Sequence, residues 1–183
     1  MDSLSSLYVA LQGLISVASG INRDRVVLAD QGRPGLPGLE VYATYKPVPV
    51  RAYGFPNRER ALTPAINTVL PNHLDFSEKT RTQLELSLSC NFLNSGAQEA
   101  AWKIHNANFR SVVMEYLYTY KIGWRYASNP RDLTNLLQAG LQQRYQIDVQ
   151  LFVETEITDV VLRANGFSIE VVDEGGNLLY GAP

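Results

Sequence analysis

Apolar residues recur at helical spacing from the start of the chain, where Leu4, Leu7, Tyr8, Leu11, Leu14, Ile15 and Ala18 make one stripe. Asp2 or Ser3 stands in place to cap it and Gly20 to stop it, so the pattern predicts an amphipathic helix. Val26, Val27 and Leu28 predict a short strand, and a second β-like run from Leu39 to Lys46 is able to pair with it. Between them lies QGRPGLPG. Its glycines fall at every third position, but so few triplets cannot sustain a collagen helix, and a rigid loop is expected.

From residue 47 to 79 no period of 2 or 3.6 lasts, and Pro47, Pro49, Pro56, Pro64 and Pro71 punctuate the segment. A loop excursion, an arm leaving the core, is the expectation, since loops of that length in a compact domain are functional or mobile. Strict alternation follows. Leu84, Leu86, Leu88, Cys90 and Phe92 interleave with Gln83, Glu85, Ser87, Ser89 and Asn91, which predicts a strand with one buried and one wet face. Ser95 with Gln98 reads as a capping box opening one helix that runs to about Tyr120.

Asn129-Pro130 and the spacing of Leu133, Leu136, Leu137 and Leu141 predict a shorter helix. Tyr145, Ile147, Val149, Leu151 and Val153 then alternate with Gln146, Asp148 and Gln150 as a second half-buried strand. A third begins at Phe167, Ile169 and Val171, and a turn over residues 173–177 folds it back into Leu178 to Tyr180. One-sided alternation belongs to sheets covered on one face. The expected fold is α+β: a mainly antiparallel or mixed sheet of four to six strands with helices on one face, in a single domain over residues 1–183 with 47–79 as an extended loop or arm.

Composition removes function classes more than it supplies them. The 183 residues are 45% hydrophobic and 19% charged, enough apolar material for a core, and 16 basic against 18 acidic residues give a net charge of −2. That balance excludes the broad basic excess of a protein that grips nucleic acid through its phosphates. The single cysteine, Cys90, allows no intramolecular disulfide and sits in the apolar register of its strand, which suits a reducing compartment and an inert thiol. The first twenty residues lack the basic start of a signal peptide, and no apolar run is long enough to span a bilayer.

Candidate chemistry is sparse. His73 and His105 stand in no metal-ligand spacing, and the nucleophile-elbow, phosphate-loop and dinucleotide patterns are absent, so no catalytic residue, cofactor or metal is expected. Glu154 and Glu156 share a strand face, a spacing that would suit a carboxylate pair but that a solvated edge explains more simply. Two tilts concern surfaces instead. Twelve of the sixteen basic residues are Arg and ten residues are Tyr, the side chains enriched where proteins meet. Residues 23–60 carry a local +3 and residues 147–174 a local −6, a polarity suited to head-to-tail contact between copies. Arg51, Tyr53, Arg58 and Arg60 on one side, and Glu154 and Glu156 on the other, are the candidate interface residues.

The order of these features resembles a known family. It comprises the N-terminal helix, the run Val26 to Gln31 followed by prolines and a Tyr-bearing strand, the alternating strand closed by Asn-Ser-Gly-Ala with its helix, and the phrase Arg144 to Leu151. Over residues 4–46 and 80–172 the chain looks like the neck or tail terminator proteins of long-tailed bacteriophages, the contractile-tailed ones in particular. The resemblance implies a structural subunit, not an enzyme, forming a hexameric ring on the last ring of the tail tube in the virion neck after assembly in the host cytoplasm. It further implies contact with the tube, the sheath and the head-connector or adaptor proteins, with DNA passing through the lumen unbound. The alternatives are a head-completion adaptor, distinguished by copy number, and a small enzyme or ligand-binding domain, distinguished by a deep polar pocket holding His73 or the Glu154–Glu156 pair.

Overall fold

A computed structural model describes residues 4–30, 36, 38–64, 74–137, 140–162, 170–172, 175 and 178–181. In chain order these form helix α1 (Leu4–Ser19), strands β1 (Val26–Leu28), β2 (Tyr42–Pro64) and β3 (Leu74–Leu93), and helices α2 (Ala97–His105) and α3 (Ser111–Thr119). Strands β4 (Gly123–Ala127), β5 (Arg131–Asp132), β6 (Asn135–Leu137), β7 (Gly140–Gln142), β8 (Arg144–Val161), β9 (Glu170–Val172) and β10 (Leu178–Gly181) follow. The fold is α+β. Its main sheet has six strands in the order β1-β2-β3-β8-β4, with β5 also paired to β8. The chain divides into two compact units, one of residues 1–57 and 81–157, the other of 58–80 and 158–183.

The first unit holds the three helices and the core. β1 runs parallel to β2, Val26 opposite Ala43 and Leu28 opposite Tyr45, whereas β4 and β5 run antiparallel to β8. β3 and β8 are also antiparallel, since Asn91 meets Arg144, Ser89 meets Gln146 and Ser87 meets Gln150. β2 runs antiparallel to β3, with the Asn94 amide on the carbonyls of Gly38 and Glu40 at one end and Arg51 on Glu85 further along. The sheet is therefore mixed.

One face of it is apolar. Leu86, Leu88, Cys90 and Phe92 of β3 and Ile147, Val149, Leu151 and Val153 of β8 meet Leu11, Leu14 and Ile15 of α1, Ala101 and Ile104 of α2, and Val113 and Leu117 of α3 in one buried cluster. Alternation puts these side chains on the same side as the helices. α1 is anchored by more than packing: the Tyr45 hydroxyl donates to the Tyr8 carbonyl at 3.0 Å, and the Gln12 side-chain amide donates to the Val26 carbonyl at 2.8 Å. No helix among the described residues is long and apolar enough to cross a membrane.

Three expectations need correction. The segment 47–79 is not a loop where it is described: 47–64 continue β2 and 74–79 begin β3. Alternation fails there because Val48 to Ala61 are exposed on both faces, so nothing selects apolar residues at every second position. The prolines fit a strand whose outer side, among the described residues, has no partner to receive an N–H. Between Tyr45, which faces the core, and Arg51, which faces away, the alternation slips by one, in the stretch holding Pro47 and Pro49.

The single helix expected from Ser95 to Tyr120 is two nine-residue helices separated by a 3-10 turn, Ala107–Phe109. Asn106 ends the first by bonding the Trp102 carbonyl with both its backbone N–H and its side-chain amide. Arg110 is extended and its guanidinium donates to the Ala18 carbonyl at the end of α1. Gly96, not Ser95, is the N-cap of α2, without a side-chain hydrogen bond. Both helices bury the same side, which is why the stripe reads as continuous.

The helix expected after Asn129-Pro130 is instead β5, β6 and β7. The Asp132 carboxylate accepts the Thr134 N–H at 2.9 Å, and the Leu133 N–H goes to the Arg144 carbonyl at 2.8 Å. Backbone donors that a helix would need are spent across the chain. Asn135–Leu137 then pairs antiparallel with Gly140–Gln142.

In the second unit, Arg60 of β2 pairs with Glu78 of β3 at 2.5 Å and Asp75 is buried. β9 and β10 form the expected antiparallel pair, with a register irregularity between Leu178 and Tyr180. The expected cap at Asp2 or Ser3, the bulk of the QGRPGLPG loop, Pro71, His73, Phe167, Ile169 and most of the 173–177 turn lie outside the described residues.

Candidate assembly surface

The helix-free face of the first unit's sheet is a surface of paired polar groups around one buried carboxylate. Glu85 belongs to the wet register of β3, yet only 3% of it is exposed. Arg51 of β2 reaches one carboxylate oxygen with Nε at 2.8 Å, and Arg125 of β4 takes the other. A buried carboxylate is tolerable only when paired in this way. The hydrogen bond from Arg51 holds the Glu85 carboxyl below its ordinary value, with the charge of Arg125 acting in the same direction and desolvation opposing both.

Aromatic rings frame the pair. Phe152 of β8 lies 5.3 Å from the Tyr53 ring, tilted by 49°. The Arg125 guanidinium sits 5.7 Å from the centre of the Tyr126 ring and 6.0 Å from that of Phe152, within reach of a cation–π attraction. Along β3 and β8 the surface continues as a row of cross-strand bonds: Gln150 to Ser87 at 2.8 Å, Gln146 to Ser89 at 3.1 Å and Arg144 to Asn91 at 3.0 Å. On the other side of Glu85, Arg81 pairs with Glu156 at 2.9 Å.

Of the sequence candidates, Arg51 and Tyr53 thus come together in one cluster, and Glu156 is engaged by Arg81 on the same strand pair. Glu154 is half-buried and shares its strand face with Glu156. Arg58 and Arg60 belong to the second unit, where Arg58 is exposed and Arg60 holds Glu78. Sequence reasoning missed Glu85, Arg125 and Phe152. Phe152 left a signal, because it is an aromatic residue in the polar register between Gln150 and Glu154. Glu85 left none, since a carboxylate among Gln83 and Ser87 reads as one more solvated residue.

Nothing described gathers chemistry. His105 is half-buried and meets Trp102 edge-on, ring centres 5.4 Å apart. The Cys90 thiol is fully buried and its pKa is pushed up by desolvation, which suppresses the thiolate. Among the described residues no three His, Cys, Asp or Glu side chains come together to hold a metal ion. The surface can bind by shape, charge and stacked rings.

A model of the family described as phage neck terminator protein matches residues 5–176. The chain belongs to the phage neck terminator family. No curated protein matches it. A structural role in the neck of the virion, in contact with tail and head-connector proteins, follows from that membership. As a neck terminator protein it presents its helices on one face of the sheet and the Arg51–Glu85–Arg125 cluster on the other.

The cluster has a pH signature. Because the Glu85 carboxyl titrates lower in the folded chain than in the unfolded one, its stabilising contribution is complete above the ordinary value of 4.5 and is lost as pH falls through the depressed folded value. Urea unfolding of the wild type and of Glu85→Gln, compared across pH, should therefore show a difference that is constant near neutrality and shrinks in acid. A difference independent of pH down to the acid limit would mean that the carboxylate charge does not support the cluster.

Proposed function

We propose that this neck terminator protein forms a hexameric ring that caps the last ring of the tail tube, stops its polymerisation and joins the tail to the head-connector complex. The match over residues 5–176 carries the reading. The helix-free face supports it, being rich in the arginines and aromatic rings that bury area at low entropic cost. In this reading Arg51, Tyr53, Arg58, Arg60, Glu154 and Glu156 contribute to contacts with neighbouring copies, the tube, the sheath of a contractile tail or the connector. The net charge of −2 suits a lumen through which DNA passes without adhering. Assembly takes place in the host cytoplasm.

Electron microscopy of the purified protein with tail tubes tests this reading. Six-fold rings seated on tube ends, with tube growth halted, are the expected result; twelve-fold rings that ignore tubes would indicate a connector adaptor. A second expectation concerns the chain between Asn57 and Arg81. These residues stand on adjacent antiparallel strands, so a two-residue Asn-Gly turn in place of 58–80 can join them as a hairpin. The shortened chain should keep the cooperative unfolding of the first unit and lose tube capping; loss of folding would show that 58–80 is not a separable assembly element.

A further inference from the structure

Among the described residues the first unit leaves two strand edges uncovered, and their pairing with each other would join one copy to the next. On one side of the sheet β1 covers β2 only at Ala43 to Tyr45. On the other, β4 and β5 cover β8 only as far as Phe152. Beyond those points, among the described residues, Val50 to Phe55 of β2 and Val153 to Ile157 of β8 have a strand neighbour on the β3 side alone. Such edges are ordinarily blunted. Here Pro47, Pro49 and Pro56 blunt the flanks of the β2 edge, while the six residues between carry exposed Val50, Tyr53 and Phe55, Phe55 being 99% exposed. Ile157 on the β8 edge is 61% exposed.

Charge selects the occupant. Within the first unit, strand β2 carries two basic residues, Lys46 and Arg51, and no acidic one. Strand β8 is acidic over the same unit, with Asp148, Glu154 and Glu156 against Arg144. Two β2 edges meeting would set Arg51 near its own copy, and two β8 edges would do the same with Glu154 and Glu156, arrangements that like charges oppose. A β2 edge against a β8 edge is attractive. The two strands run parallel within one copy, each being antiparallel to β3, so copies related by a repeated rotation would bring them together as a parallel pair.

We propose that the Val50–Phe55 edge of one copy pairs with the Val153–Ile157 edge of the next, continuing the sheet as β2-β3-β8-β2 from subunit to subunit. The contact is heterologous, the kind that closes into a ring when the rotation permits. The proposal rests on the reading that the protein assembles with its own copies and specifies the surfaces that do so.

Thiol cross-linking tests it, because the native Cys90 is fully buried and contributes no background. Ala52→Cys combined with Glu154→Cys or with Ile157→Cys, treated with a short bismaleimide, should give a ladder of covalent multimers. A mixture of the corresponding single variants should stop at a dimer containing one of each, and Ala52→Cys with the exposed control Tyr118→Cys should give no ladder. On the unsubstituted protein, hydrogen exchange of residues 50–55 and 153–157 should slow when the sample is concentrated from monomer to assembly. Rings that form without β2–β8 links or protection overturn the edge pairing and leave the ring reading intact; a chain that stays monomeric at low salt, with or without tail tubes, overturns both.

Discussion

Phe92→Ala is expected to destabilise the first unit by about 3–5 kcal/mol, the top of the range for a buried truncation. Phe92 is completely buried and is the bulkiest fully buried side chain among the described residues. It ends the apolar register of β3 and belongs to the cluster that includes all three helices, so the void cannot be filled by one neighbour swinging in. Against a domain stability of roughly 5–15 kcal/mol, a loss of that size removes a large fraction of the folded margin. Urea unfolding gives the measurement, with a shift in midpoint at unchanged slope. Phe109→Ala is the control, since Phe109 is 82% exposed and its truncation should leave stability within about 0.5 kcal/mol of wild type. A mild effect at Phe92 would mean that the sheet and helices do not share one core.

What the sequence made legible follows from one-sided burial. α1, β1 and the alternating halves of β3 and β8 are readable, because each places apolar residues at the period of its own geometry, and the β9–β10 pair is readable from the turn residues between its strands. Where burial is symmetrical the signal vanishes. The exposed stretch of β2 has neither face buried, and its prolines, which in a central strand would argue against pairing, stand on an edge that no described strand covers. Where two elements bury the same side the signal merges, and α2 and α3 read as one helix although Asn106 and Arg110 divide them. Leu133, Leu136, Leu137 and Leu141 show the opposite failure. Their spacing is helical, but the backbone bonds of Leu133 and Thr134 are settled by Arg144 and Asp132, partners that periodicity does not see.

The candidate surface divides the same way. Arg51 and Tyr53 were legible as an Arg- and Tyr-rich tilt, a property of composition. Their meeting with Glu85, Arg125 and Phe152 depends on strand order, which brings residues from β2, β3, β4 and β8 onto one face. Order within a sheet is a long-range outcome, so local pattern predicts that a surface exists and not which side chains compose it. The charge polarity along the chain was likewise legible, and strand order turns it into a statement about two particular edges.

Gly13→Ala is the second large expectation, and here two effects of opposite sign compete. In an exposed helix interior the change would gain up to about 1 kcal/mol through propensity. At Gly13 a Cβ would stand 2.1 Å from the Tyr116 hydroxyl oxygen and 3.0 Å from the carbon that bears it, distances at which something must move. Tyr116 is poorly placed to yield. Its hydroxyl donates to the Ala10 carbonyl at 2.9 Å and its ring stacks on Tyr120 with centres 4.5 Å apart, and burial together with Tyr120 raises its pKa. Overpacking of this kind costs about 1–3 kcal/mol, and losing the hydrogen bond adds on the order of 1 kcal/mol, so the clash outweighs the propensity gain. The expected result is a net loss of roughly 1–3 kcal/mol, as α1 and α3 are forced apart. Tyr116→Phe removes the atom that collides first. In the Gly13→Ala background it should recover part of the loss, whereas alone it should destabilise by the worth of one hydrogen bond. A double-mutant cycle by thermal or urea unfolding reads that coupling directly. Strict additivity of the two substitutions would show that Gly13 is glycine for a reason other than the closeness of α1 to the Tyr116 hydroxyl.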